Sequence, residues 1–175
     1  VFETYADRLH VLPGSRSFRD TNEIVRGVEH RQTLQYHLGT AADAYTYVVI
    51  DCPPSLGDLT QAALSASQEV VMPIQCEYFA MEGLTQMIEV IRRVMKQPGR
   101  NLEFGGIVLT MYDESLELTG EVEREVREFF GDIVFETVVP RDVTVSEAPS
   151  FGKSVLDHAP RSRGARAYIE LCMEV

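Results

Sequence analysis

Cysteine is scarce in this chain and poorly placed for cross-linking. Cys52, Cys76 and Cys172 are odd in number, far apart and never in a C-x-x-C pair, which excludes a disulfide framework and a structural zinc site. Each sits among apolar neighbours, so all three are expected as buried thiols acting as small hydrophobes. Long hydrophobic runs are missing too. None approaches the ~20 residues of a membrane-spanning helix, and Val1 to His10 mixes charged with apolar residues instead of showing signal-peptide architecture. The expectation is a cytoplasmic protein. Repeats and low-complexity linkers are absent, and 12 Gly and 8 Pro in 175 residues exclude collagen-like and disordered classes. Positive charge is also short, with 16 Lys+Arg against 27 Asp+Glu and a net charge of −11. That balance works against broad binding to nucleic acid or an anionic membrane. The deficit is uneven: Asp113 to Glu136 carries nine acidic and two basic residues, whereas Arg141 to Val175 carries five of each. A local basic face near the C-terminus is compatible with that distribution. The four histidines, His10, His30, His37 and His158, lack metal-ligand spacing with one another or with cysteine.

What is present is an alternation of short apolar runs with amphipathic stretches, the pattern of an α/β protein with a mostly parallel sheet. The length suits one domain over residues 1–175. Strands are expected at Leu9–Leu12, Tyr47–Asp51, Val70–Ile74, Gly106–Met111 and Ile133–Val139. The second and third are nearly uninterrupted apolar runs, as in strands covered on both faces. Ala80, Leu84, Met87, Ile91 and Met95 recur at helical spacing and stop at Pro98-Gly99. Leu118, Val122, Val126 and Phe129 form a second stripe, closed by Gly131. Ala165, Tyr168, Ile169 and Cys172 predict a last helix, and a weaker one runs from Asn22 to Leu38.

The sharpest feature is Tyr47-Val48-Val49-Ile50-Asp51-Cys52-Pro53-Pro54-Ser55-Leu56. Four apolar residues running into an aspartate place a carboxylate at the C-terminal end of a strand, the edge where open α/β sheets bind ligands. In P-loop NTPases such an aspartate helps hold Mg²⁺ beside nucleotide phosphates. Elsewhere the same pattern is a turn or helix-cap residue, and the run alone does not decide between the two.

Asp51-Cys52-Pro53-Pro54-Ser55-Leu56 resembles the D-x-P-P-S-L segment of the ParA/Soj chromosome- and plasmid-partitioning ATPases, of the MinD-like deviant Walker P-loop group. The resemblance continues through Pro73–Leu84, similar to P-x-Q-x-E-Y-x-A-x-E-G, and through Gly106–Asp113. It is most specific at Val139-Pro140-Arg141-Asp142 with Ser146–Lys153, and closes at Asp157–Ala165, similar to D-P-R-S-R-G-A. The resemblance implies a P-loop NTPase-like three-layer sandwich and a role in DNA segregation. Asp51 would be the Mg²⁺-associated catalytic carboxylate, and Cys52 to Leu56, Pro53 included, a loop answering to the γ-phosphate of ATP. Thr110, Met111, Pro140, Arg141 and Asp142 would wall the adenine pocket. Lys153, Arg161, Arg163 and Arg166 are the candidates for sequence-independent DNA contact. The implied partners are a second copy in a ParA-type dimer, a ParB-type protein and non-specific DNA, with nucleoid association. The ending Glu170–Val175 is short and acidic, unlike the basic amphipathic helix by which MinD relatives reach membranes.

Three departures stand beside the matches. No G-x-x-x-x-G-K-[ST] occurs, and the only lysines, Lys96 and Lys153, follow no glycine-rich loop; that loop and its lysine neutralise the phosphates. The family's D-x-D-P-Q-x-N segment is absent, so the chain resembles the family without its N-terminal strand and Walker A portion. Thr144 stands where members often carry arginine. Taken alone, the polypeptide is expected to be inactive as an ATPase, and apolar faces around Val48 and Ile50 are expected to lie open and favour self-association. The alternative reading is a non-catalytic interaction or regulatory module derived from a ParA ATPase.

Overall fold

The computed structural model describes residues 1–14, 34–39, 43–53, 57–97 and 101–175, and the chain divides into two units, Val1–Ala66 and Ser67–Val175. In the first unit, β1 (Phe2–Glu3) and β2 (His10–Val11) pair antiparallel. The turn between them is fixed by Thr4, whose Oγ1 donates to the Leu9 carbonyl at 2.9 Å. Residues 34–39 are helical, and α1 (Asp58–Ala66) closes the unit with Ala62, Ala63 and Leu64 buried.

The second unit is built on a three-stranded parallel sheet in the order β3 (Glu69–Gln75), β4 (Glu103–Tyr112), β5 (Val134–Pro140). α2 (Ala80–Met95) crosses from β3 to β4, and α3 (Glu117–Phe130) crosses from β4 to β5. Spatial order follows chain order, so right-handed crossovers put both helices on one face. Their apolar stripes are the buried residues Leu84, Ile91 and Val94 of α2 and Val122 and Val126 of α3. After β5 come α4 (Val143–Glu147), a 3-10 turn (Ala148–Phe151), α5 (Val155–His158) and α6 (Arg163–Glu174). Ala167 of α6 packs with Val108 and Val139, flanked by Phe135 and Leu171. Side chains alternate along β4, so Ile107 and Leu109, both fully buried, turn to the face opposite Val108. α6 thus covers one face and α2 and α3 the other, and this unit is a three-layer α/β sandwich.

Several expectations are met closely. The helix from Ala80 to Met95 and the acidic helix ending at Gly131 lie where their stripes put them, and Gly131 adopts φ 59 as the C-terminal cap. Others are corrected. Leu9–Leu12 contributes only the two residues of β2, in a hairpin and outside the parallel sheet. Tyr47–Asp51 is not a strand, and Tyr47 and Val49 are 85% and 92% exposed. A strand is held by its ladder, and among the described residues of this unit the two strands pair only with each other. The expected exposure around Val48 is found (47%), while Ile50 is half-buried. Among the described residues β3 has one strand partner, and Val71 and Pro73 along it are exposed. The fully flanked strand is β4. Of the cysteines only Cys76 is buried; Cys52 and Cys172 are exposed, because Cys172 falls on the outer side of α6. Within the expected Asn22–Leu38 helix, 34–38 is helical and 22–33 lies outside the described residues, as do Pro98-Gly99 and Pro54–Leu56.

Candidate functional site

The C-terminal edge of the second unit's sheet gathers the chemistry-bearing residues. β4 ends in Thr110-Met111-Tyr112, and each of the three is fixed by its backbone. Thr110 donates its hydroxyl to the Ile74 carbonyl at 3.1 Å, and its own carbonyl accepts from Cys76 N at 3.0 Å. Met111 sits at φ 55, in the left-handed region that side chains other than glycine rarely adopt. Such strain persists where surrounding contacts over-determine it, and it concentrates at functional edges. Tyr112 accepts at its carbonyl from Arg141 N at 2.7 Å, which draws the first residue after β5 against the end of β4. The Arg141 guanidinium then reaches Glu77, in the loop after β3, at 3.7 Å. Both side chains are more than half exposed, so the pair steers geometry and adds little stability.

Asp142 is the most heavily bonded residue of this edge. One carboxylate oxygen, Oδ1, accepts from Thr144 N at 2.9 Å and Thr144 Oγ1 at 2.8 Å, capping α4. The other, Oδ2, accepts from Gly164 N at 2.8 Å, in the first turn of α6. The approach requires glycine: a Cβ at Gly164 would collide with Val145 and lie 3.3 Å from Asp142. The Gly164 N–H and the Thr144 hydroxyl hold the Asp142 carboxyl below the usual carboxylate range, with Arg163 adding to the effect. Asp113 is lowered in the same sense by the Ser115 hydroxyl and N–H, and by Arg141 and Arg163.

Beside this edge, between the end of the sheet and α6, is an open cleft of about 280 Å³ bordered by Tyr112, Glu114, Pro140, Arg163, Arg166 and Glu170. The structure therefore brings Thr110, Met111, Pro140, Arg141 and Asp142 together, and sets Arg163 and Arg166 beside Pro140. Lys153 and Arg161 are exposed and do not line the cleft. Asp51 and Pro53 belong to the first unit, where both are exposed. Sequence reasoning gave no role to Tyr112, to Glu77 as the partner of Arg141, or to Gly164 as a contact point. The signals for Gly164 are its place in the stretch similar to D-P-R-S-R-G-A and a glycine inside a helix start, a position where it weakens the helix unless close packing demands it.

Comparison with known proteins decides the family. A family model described as "AAA domain" matches residues 1–104. The sporulation initiation inhibitor protein Soj of Bacillus subtilis is 43% identical over 173 residues, covering 98% of this chain and 68% of that protein. The chain belongs to the ParA/Soj family. The chromosome partitioning protein ParA of Caulobacter vibrioides is 46% identical over 173 residues, covering 95% of this chain and 64% of that protein. The chain thus spans about two thirds of the length of these ParA/Soj relatives. Among solved structures, cobyrinic acid a,c-diamide synthase from Mycobacterium smegmatis with bound ADP and magnesium matches 85% of this chain and 54% of its own, with a TM-score of 0.68 and 28% identity. An ATP complex of Cyanothece McdA matches 91% of this chain and 64% of its own at a TM-score of 0.77 and 12% identity; this second likeness speaks for the fold alone. Among the described residues no helix is long and apolar enough to cross a membrane.

Proposed function

We propose that this chain supplies the base-facing sheet edge and the DNA-facing surface of an ATP-dependent DNA-partitioning switch of the ParA/Soj type. One observation carries the reading. Lys153, Arg161, Arg163 and Arg166 are all exposed, and none joins an ion pair among the described residues. Arg161, Arg163 and Arg166 stand at the beginning of α6, whose first turn holds no acidic residue. Cations at a helix N-terminus oppose its dipole by about 0.3–1 kcal/mol each. At Arg163 the neighbouring Asp142 and Asp113 carboxylates offset that cost, and the exposed guanidiniums are open to a polyanion. In an otherwise acidic chain, phosphate contact confined to one small patch is sequence-independent, weak and salt-sensitive.

The nucleotide reading rests on the sheet edge. Pro140 borders the open cleft, and Thr110, Met111, Arg141 and Asp142 stand at the same sheet edge, where in this reading they would wall a purine base. Thr110 has already committed its hydroxyl proton to Ile74, so its oxygen is left as an acceptor. In this reading the exposed Asp51 carboxylate would stand beside Mg²⁺. The phosphates have no such match, since no glycine-rich loop with a lysine occurs in the 175 residues. Bound ATP with Mg²⁺ would supply the switching energy of the family. This chain's part is to seat the base and carry the DNA contact. A second copy, a ParB-type protein and nucleoid DNA complete the reading as partners.

The test is duplex-DNA binding followed by fluorescence anisotropy at two salt concentrations, with the Arg161→Ala/Arg163→Ala variant alongside. Weak binding that falls steeply with salt is expected, and the variant should reduce the slope of log affinity against log salt by about 2. Tight binding indifferent to salt and substitution, or no binding at all, would overturn the reading.

A further inference from the structure

We infer that Asp142 is a positioning residue for the basic surface: it ties the β5 end of the sheet edge to the first turn of α6 and so sets where Arg163 and Arg166 point. The inference rests on the DNA-contact reading above. Four links make the connection. Arg141 N is held by the Tyr112 carbonyl at 2.7 Å, which fixes the backbone entering Asp142. Oδ1 is occupied by Thr144 N and Oγ1 at 2.9 and 2.8 Å, which fixes the carboxylate plane. Oδ2 receives Gly164 N at 2.8 Å, the residue between Arg163 and Ala165. At Gly164 the missing side chain lets Val145 and Asp142 close on the helix. The separate cap of α6, Ser162 accepting from Ala165 N at 3.1 Å, organises the turn internally; Asp142 locates it relative to the sheet.

Electrostatics alone predicts the opposite behaviour from positioning, which makes the inference testable by sign. Asp142 is a negative charge close enough to Arg163 to be shifted by it. On Coulomb grounds, removing that charge strengthens attraction for DNA. On the positioning argument it weakens binding, because two of the phosphate contacts lose their shared frame. Asp142→Asn is the informative variant. Asn remains a good cap for α4, but its amide offers one acceptor where the carboxylate serves both Thr144 and Gly164. Thr144→Ala removes the hydroxyl contact and leaves the Gly164 link. Glu170→Gln removes a neighbouring negative charge of the cleft and touches neither.

Measured on the full chain by anisotropy with duplex DNA, Asp142→Asn is expected to lose roughly tenfold in affinity, the scale of one charge-assisted hydrogen bond, and to show a shallower salt slope. Thr144→Ala is expected to stay within about twofold, and Glu170→Gln to bind equally well or up to about twofold tighter. Asp142→Asn binding as tightly as the wild type, or tighter, overturns the inference. Should the wild type itself fail to bind DNA, the functional reading fails, and amide hydrogen exchange decides the positioning claim separately. Faster exchange at Gly164 and Ala165 in Asp142→Asn, with Ile107–Leu109 unchanged, upholds it, and unchanged exchange at Gly164 overturns it. If Asp142→Asn melts below the working temperature, Asp142→Ser, which keeps a capping oxygen but is too short to reach Gly164 as well, is measured with the same expectations.

Discussion

The Arg141 N–H donates to the Tyr112 carbonyl over 2.7 Å, extending the pairing of β4 with β5 one residue beyond Pro140, the last residue of β5. That bond delivers Asp142 to the start of α6, and its place there makes the stability it contributes depend on pH.

The Asp142 carboxyl is lowered in the folded state, first by the Gly164 N–H and then by the Thr144 hydroxyl. A depressed acid contributes stability that is fully present above its unfolded value, near 3.9, and lost as pH falls through the lower folded value. Asp142→Asn is therefore expected to unfold at lower denaturant than the wild type at pH 7. The difference should narrow below about pH 4 as the wild type loses the same contribution. Urea titrations at pH 7, 5 and 3.5 check this, and a gap that widens on acidification would contradict it.

Gly106 faces the Phe135 ring so closely that a Cβ would lie 2.8 Å from two ring carbons and 3.1 Å from the Ile133 carbonyl. The ring is packed against Val108, Val139 and Ala167 and has little freedom to retreat. Gly106 also sits at φ 157, a conformation side chains rarely adopt, so Gly106→Ala is expected to cost about 1–3 kcal/mol by overpacking and backbone strain on top of it. Combining it with Phe135→Leu should recover part of that loss, since the two sites share one space. Chemical denaturation of the two single variants and the double variant gives the coupling directly.

The three thiols should separate cleanly by reactivity. Cys76 is 2% exposed, and burial, with Glu123 adding to it against Arg127, pushes its pKa up to about 11. At pH 8 only roughly one molecule in a thousand carries the reactive thiolate there. Cys172 and Cys52 are exposed, although partial desolvation and the neighbouring Asp51 raise Cys52. Titration with a disulfide reagent at pH 8 is expected to consume two thiols promptly, Cys172 first. The third should appear only when denaturant is added.

Tyr47, Val48 and Val49 present an uncharged apolar stretch at 85%, 47% and 92% exposure. Open segments of high strand propensity recruit other chains. Elution volume in size-exclusion chromatography is expected to fall as concentration rises, and Val49→Lys should suppress the shift without changing the denaturation midpoint by more than about 0.5 kcal/mol. Concentration-independent elution of the wild type would refute the idea.

Periodicity made the second unit readable because its elements obtain their partners from nearby sequence. Leu84, Ile91 and Val94 recur on one side of α2, and the crossover to β4 is local, so the stripe and the fold agree. The run Val48-Val49-Ile50 misled for the converse reason. Apolar content marks a segment able to become a strand, but the ladder that makes it one must come from elsewhere. Cys172 was misplaced because an amphipathic stripe fixes which residues share a face and leaves the width of the buried strip to the neighbour, here the narrow contact of Ala167 with β5. At the site, motif similarity located Pro140-Arg141-Asp142, yet no local pattern marks a carboxylate that bonds a glycine amide 22 positions away. Nor does sequence mark the left-handed turn at Met111, because methionine has no preference for it.

β4 is the one described strand of its sheet with a neighbour on each side, and Ile107, Val108 and Leu109 at its middle are at most 4% exposed. Its amide protons can reach solvent only when the whole sheet parts, whereas those of the two-residue strands β1 and β2 need no more than local fraying. Measured in time, the molecule should therefore have two clocks. Protons at the centre of β4 should persist for as long as the second unit stays folded, and their lifetime there reports its global stability. The hairpin's should be gone within the dead time of a manual exchange experiment.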